Sequence, residues 1–147
     1  MRVVRLCTRA HPELDGKGAA IAGGRWNSKG TEVVYTSDCN ALAILEYRVH
    51  MSTFPKNMLL LAIDLADTLK KERVSSIPNS PAEMQQIGDE WINSGSTAIL
   101  EVPSVVAPGH KNYLLNPAHP DFAAGVKVVE NHPFAFDLRL LSVLPAP

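Results

Sequence analysis

The sequence predicts a mixed α+β domain of about six strands and two or three helices. Three observations carry this reading. Short β-rich runs occur at both ends, turn-rich stretches separate them, and two strongly helical segments lie between. With 147 residues and 46% apolar content the chain has the size and hydrophobicity of one domain with its own core, so residues 1–147 are read as a single unit.

RVVRLC (2–7) mixes β-branched and basic residues and reads as a strand, after which the chain is mostly loop up to Gly30. TEVVYTS (31–37) is a second strand, with Val33 and Tyr35 on one face. A helix follows, capped by Ser37 or Asp38 and running through ALAILEYRVH to about Met51. NMLLLAIDL (57–65) is too short to span a membrane and reads as a buried strand. A charged, Ser/Pro-rich segment leads to a helix from Pro81 to Ile92, stopped by Asn93–Ser96. TAILEVPSVVA (97–107) is a strand in which Pro103, lacking an N–H, implies an edge or a bulge. PGHKNYLLNPAHPDF reads as a long loop, and VKVVE (126–130) and FDLRLLSVL (136–144) as the last two strands.

A formal net charge of −1 supplies no field for sequence-independent binding to nucleic acid. Cys7 and Cys39 lack CxxC spacing or a dense disulfide pattern, which implies free thiols in a reducing compartment. No stretch reaches the roughly 20 apolar residues of a membrane span, and the N-terminus lacks the apolar run of a signal peptide, so a soluble cytoplasmic protein is expected. The spacings of His50, His110, His119 and His132 match no HExxH or paired-cysteine arrangement, and no metal site is expected.

Several residues stand out for chemistry. Leu42, Leu45 and Val49 form an apolar helical stripe, and Glu46 lies inside it. A carboxylate on a buried face needs pairing, which leaves Glu46 between a structural ion pair with an arginine and a functional role. In GGRWNSKG (23–30), Arg25 offers a planar fork for carboxylate or phosphate, or else stacks on Trp26 at the surface. Tyr35 is either a core residue or an aromatic face for a planar ligand. Ser104, beside the Pro103 irregularity, is a strand serine or a positioned hydroxyl. His119, between prolines in NPAHPDF, reads first as structural.

Taken in order, GGRWNSKG, VVYTS, ALAILEYRVH, GDEW, VPSVV, NYLLNPAHPDF and FDLRL make the chain resemble the RES-domain family, the toxins of a class of bacterial toxin–antitoxin pairs. The arginine, glutamate and serine of the family name match Arg25, Glu46 and Ser104. The resemblance runs from Val4 to about Leu140.

It implies an ADP-ribosyltransferase-like fold and NAD⁺ as substrate, cleaved between nicotinamide and ribose. The ADP-ribose passes either to a protein, for example a phosphoribosyl pyrophosphate synthetase, or to water or phosphate. On that footing Glu46 stabilises the oxocarbenium-like transition state. Arg25 holds the pyrophosphate or a ribose, with Arg5 as a second cation, Tyr35 stacks on nicotinamide, and Ser104 orients Glu46 or the ribose. Asn116 and His119, in the NP-HP block, are assigned to shaping the pocket. The implied partner is an antitoxin with an Xre-type helix-turn-helix region that covers the pocket in a hetero-oligomer. Two other classes stay open: a non-catalytic NAD⁺ or ADP-ribose binding module, and an RNA-cleaving toxin, against which the near-neutral charge counts.

Overall fold

In a computed structural model, which describes residues 1–53 and 55–141, the chain forms one seven-stranded sheet. The elements in chain order are β1 (Arg2–Thr8), α1 (Lys17–Ala22), β2 (Val34–Ser37), α2 (Asn40–His50), β3 (Met58–Leu65), β4 (Lys71–Arg73), α3 (Pro81–Ser94), β5 (Ile99–Pro103), β6 (Lys111–Leu115), α4 (Phe122–Gly125) and β7 (Val126–Phe134), followed by a 3₁₀ turn at Leu138–Leu140. The strand order is β4-β5-β6-β2-β1-β3-β7, antiparallel except for β4 and β5.

The apolar patterns explain the layering. β1 alternates so that Val3 and Cys7 enter one core while Val4 and Leu6 enter another, as expected of a strand covered on both faces. The first core unites them with Val34, Leu61, Ile63, Ile99, Tyr113 and Leu115. On the opposite face two separate clusters form. Trp26, Val33, Leu100, Val102 and Leu114 pack under Met84 and Trp91 of α3, whereas Val4, Leu6 and Met58 pack under Ala43 of α2 with Phe136.

Between these two clusters the sheet is split. β1 pairs with β3 along its full length, from Arg2↔Asp64 to Thr8↔Met58, but meets β2 at the single pair Val4↔Ser37. Past that pair the strands diverge, and the gap opens onto the helical face.

α3 forms for local reasons. Ser80 Oγ accepts from the Glu83 N–H at 3.2 Å, the Glu83 carboxylate accepts from the Asn79 N–H at 3.0 Å, Pro81 opens the first turn, and Gly95 closes the helix in the left-handed region after Ser94, two residues beyond the expected end at Ile92. Gly88 is required by close approach: a Cβ there would lie 1.7 Å from the Trp26 carbonyl oxygen. Pro103 sits on an open edge, as its missing N–H implied, because β4 stops at Arg73↔Glu101.

Several expectations are corrected. The segment read as a long loop contains β6, which pairs on both sides with β2 and β5. The charged Lys71–Arg73 tract forms edge strand β4, where charge and shortness guard an open edge. GKGAAIA contains the short helix α1, and β7 is longer than VKVVE. FDLRLLSVL begins as a 3₁₀ turn in which Asp137 accepts from the Arg139 N–H at 2.9 Å, while its residues 142–144 lie outside the described residues. The residue in the cap position of α2 is Cys39, with no side-chain cap bond, rather than Ser37 or Asp38.

Candidate active site

A cleft of about 450 Å³ opens where the sheet splits, lined by Arg5 of β1, Gly23–Trp26, Tyr35 and Ser37 of β2, Glu46 and Tyr47 of α2, and Asn112 of β6. Its volume lies within the range of small-molecule sites.

Glu46 faces the sheet, but the stripe expected to carry it there does not. Leu45 is 39% and Val49 48% exposed, while the face turned inward consists of Leu42, Ala43, Glu46 and Tyr47. Nor is Glu46 paired with an arginine. Its Oε1 accepts from Ser104 Oγ at 2.8 Å and from Asn112 Nδ2 at 2.7 Å, and Asn112 Oδ1 in turn accepts from Ser37 Oγ at 2.7 Å. Ser104 is itself fixed, because its hydroxyl accepts from the Ala107 N–H at 3.1 Å and its N–H donates to the His110 carbonyl at 2.9 Å. Neutral donors hold one carboxylate oxygen, and among the described residues Oε2 has no hydrogen-bond partner.

The Gly23–Gly30 loop forms the facing wall, and Trp26 is its anchor. The indole is 2% exposed and buried against Val33, Met84 and Leu100, so Arg25 does not stack on it at the surface. Tyr35 Oη donates to Asn27 Oδ1 at 2.6 Å and accepts from the Trp26 N–H at 3.0 Å. Burial, only partly offset by that N–H, pushes the phenol well above its usual range, so it stays protonated and keeps the loop tied. Gly24 is required here, since a Cβ would come within 2.7 Å of both Tyr35 Oη and Asn27 Oδ1. Gln85 and Asp89 of α3 secure the loop from behind, at 3.0 Å to the Gly24 carbonyl and 3.0 Å from the Ser28 N–H. Arg25, half-buried at the cleft wall, has no hydrogen bond or ion pair to any described residue.

Arg5 reaches across the split. Its Nη1 donates to the Tyr35 carbonyl at 3.0 Å, whereas its buried Nε has no partner. Desolvation lowers its pKa, and among the described residues no carboxylate lies within ion-pair distance of it. A buried guanidinium without a counter-charge is costly unless a ligand supplies one.

The structure therefore brings Arg5, Arg25, Tyr35, Glu46 and Ser104 together, and adds Asn112 and Ser37, which the sequence did not single out. Asn112 lay hidden in a stretch that reads as loop. Asn116 and His119, expected to shape the pocket, do not line the cleft. Asn116 Oδ1 accepts from the Ala118 N–H at 3.0 Å and His119 Nδ1 from the Asp121 N–H at 3.1 Å, shaping the turn at the other end of β6.

Comparison with known proteins identifies the family. The RES domain profile matches residues 2–137, and so spans every residue of the cleft. The chain belongs to the RES-domain family. One relative is the Prs ADP-ribosylating toxin of Sphingobium sp. (strain YBL2), 38% identical over 141 residues that cover 88% of this chain and 87% of the relative. Another is Toxin Res of Pseudomonas putida, 33% identical and covering 89% and 94% of the two chains. The fold matches a chain in the crystal structure of the M. tuberculosis MbcT–MbcA toxin–antitoxin complex with a TM-score of 0.74 at 15% identity, covering 91% of this chain and 84% of the other. Among the described residues no helix is long and apolar enough to cross a membrane.

Proposed function

We propose that this RES-domain protein is an NAD⁺-consuming toxin of a toxin–antitoxin pair: it binds NAD⁺ in the cleft, breaks the nicotinamide–ribose bond and passes ADP-ribose to an acceptor. The observation that carries the reading is Glu46, whose Oε1 is fixed by two neutral donors while Oε2 has no hydrogen-bond partner among the described residues, in a cleft that also holds Arg5 and Arg25, neither paired with a carboxylate of those residues. Loss of a pyridinium leaves positive charge on the ribose. A carboxylate held in place stabilises that charge without having to reorganise. Nicotinamide departs as a neutral base, so the step requires no general acid.

Arg25 and Arg5 bind the diphosphate, Tyr35 walls the nicotinamide side, and Ser104, which touches Glu46, is a positioning residue. A protein is the favoured acceptor, supported by the name of the Sphingobium relative. Water or phosphate is the alternative. An antitoxin, with a helix-turn-helix region of Xre type, covers the cleft in the cytoplasm. A purely binding module could dispense with a carboxylate at position 46, so its presence counts against that reading, and an RNA-cleaving toxin fits poorly with a net charge of −1.

The test is nicotinamide release from NAD⁺ by antitoxin-free protein beside its Glu46→Gln variant, with and without phosphate and with a cell extract. Release that disappears in the variant supports cleavage, and its dependence on phosphate or extract identifies the acceptor class. No release from folded protein under any condition would leave binding without chemistry.

A further inference from the structure

Outside the cleft, three side chains of metal-ligating type converge. Asp38, at the end of β2, Cys39, at the cap of α2, and His110, just before β6, each bring one ligand atom within 4.8 Å of the others. Histidine spacing could not reveal this group, because its members come from segments 72 residues apart. His110 Nδ1 lies 3.2 Å from Asp38 Oδ2, which also accepts from the Lys111 N–H at 3.2 Å, so the carboxylate is already aimed. Cys39 occupies a helix cap position where Ser, Thr, Asp or Asn would satisfy a backbone N–H, yet it makes no cap bond. The thiol does nothing for the helix that a serine would not do better.

We infer that Asp38, Cys39 and His110 form a binding site for one zinc ion, completed by water. The donor set is right for zinc: thiolate, imidazole and carboxylate are its usual protein ligands, and water would fill the fourth position of a tetrahedral site. Zinc bond lengths of about 2.0–2.3 Å put neighbouring ligand atoms about 3.3–3.8 Å apart. The 3.2 Å between His110 Nδ1 and Asp38 Oδ2 already meets that spacing, and the 4.8 Å limit on the three ligand atoms leaves at most about an ångström for rotation of the side chains to close. Asp38 contributes −1, and Cys39 contributes −1 once its thiol proton has passed to solvent. They neutralise the dication, which removes the penalty for a cation at a helix N-terminus.

The ion would tie together the end of β2, the start of α2 and the start of β6. Those segments deliver Ser37, Glu46 and Asn112, and the His110 carbonyl holds the Ser104 N–H. Zinc would thus brace the frame behind the cleft, and this inference stands whether or not the cleft cleaves NAD⁺.

The test uses the full chain without any added histidine tract. Zinc is titrated against a chromophoric chelator, and cobalt(II) serves as a spectroscopic substitute. The expected result is one ion per chain, a cobalt spectrum with tetrahedral visible bands and a thiolate charge-transfer band, and a melting temperature raised by about 5–10 °C at a zinc concentration near 100 times Kd. Cys39→Ser and His110→Ala should each weaken binding by about 100-fold or more and abolish the charge-transfer band or the tetrahedral bands respectively. No uptake, a cobalt spectrum without a thiolate band, or unchanged affinity in both variants would overturn the site. Should the variants not fold, the wild-type cobalt spectrum and stoichiometry still decide it. Cys7→Ser, which removes the other, buried thiol, should leave the cobalt spectrum unchanged; loss of the band there would also overturn the assignment.

Discussion

Two glutamates, Glu101 and Glu46, solve the same problem in opposite ways. Glu101 on β5 is 2% exposed and saturated by charge: Lys71 Nζ at 3.2 Å, Lys111 Nζ at 3.3 Å, and Arg73 all reach its carboxylate. Glu46 on α2 has only an alcohol and an amide, and retains a free oxygen. Three cations quench the first carboxylate, which then has nothing left to offer a ligand. The second is held by neutral donors that fix its position and leave its charge uncompensated. A buried carboxylate is thus a candidate for chemistry when its partners are neutral, and a brace when they are charged.

Substitutions can break this contrast. The largest effect is expected from Glu46→Gln, which should lower kcat for nicotinamide release by about 10³-fold with little change in KM or in stability. If stability falls and turnover does not, the two glutamates have the same role. Glu101→Gln should do the reverse, costing about 2 kcal/mol in urea unfolding at neutral pH with turnover unchanged.

The pH dependence sharpens the point. Burial pushes the Glu101 carboxyl up, but hydrogen bonds from Lys71, Lys111 and Arg73 outweigh it and hold the group below the ordinary 4.5. A depressed carboxylate contributes stability above its unfolded pKa and loses it as pH falls through the folded value. Wild-type stability should therefore drop below about pH 4.5 more steeply than that of Glu101→Gln, and parallel acid profiles would show that the cations do not favour ionised Glu101.

Ser104→Ala and Asn112→Ala should each cost about 10- to 50-fold in kcat with KM nearly constant, and the double variant should lose less than the product, because both act through Glu46 Oε1. Additive losses would mean that one of them touches substrate directly. The smallest change is expected from Arg25→Ala, about a tenfold rise in KM with kcat held, as for an interaction present equally in ground and transition states.

Much of this was legible in the sequence, and the failures share a cause. β3 and α3 follow from patterns contained within their own residues, an unbroken apolar run and a capping box behind a proline. β6 does not: KNYLL is bounded by turn residues and becomes a strand only because β2 and β5 offer edges on both sides. Losing β6 hid Asn112, which cannot be recognised until Lys111–Leu115 is placed beside Ser37. Glu46 was reached through a stripe of which only Leu42 faces the sheet, while Leu45 and Val49 face outward, because the helix leans on the sheet through Leu42 and Ala43. Arg25 was suspected for its chemistry, but Trp26 beside it is a buried peg, visible only once α3 supplies the socket.

The single backbone pair between β1 and β2 has a mechanical consequence. Among the described strands that junction has the fewest paired residues, with the cluster beneath α2 on one side and the cluster beneath α3 on the other. A ligand gripped by Arg25 from one side and Arg5 from the other would act as a rivet across the junction. Occupancy would then be readable as stiffening: slowed amide exchange at the facing backbones of β1 and β2 would report binding without any turnover.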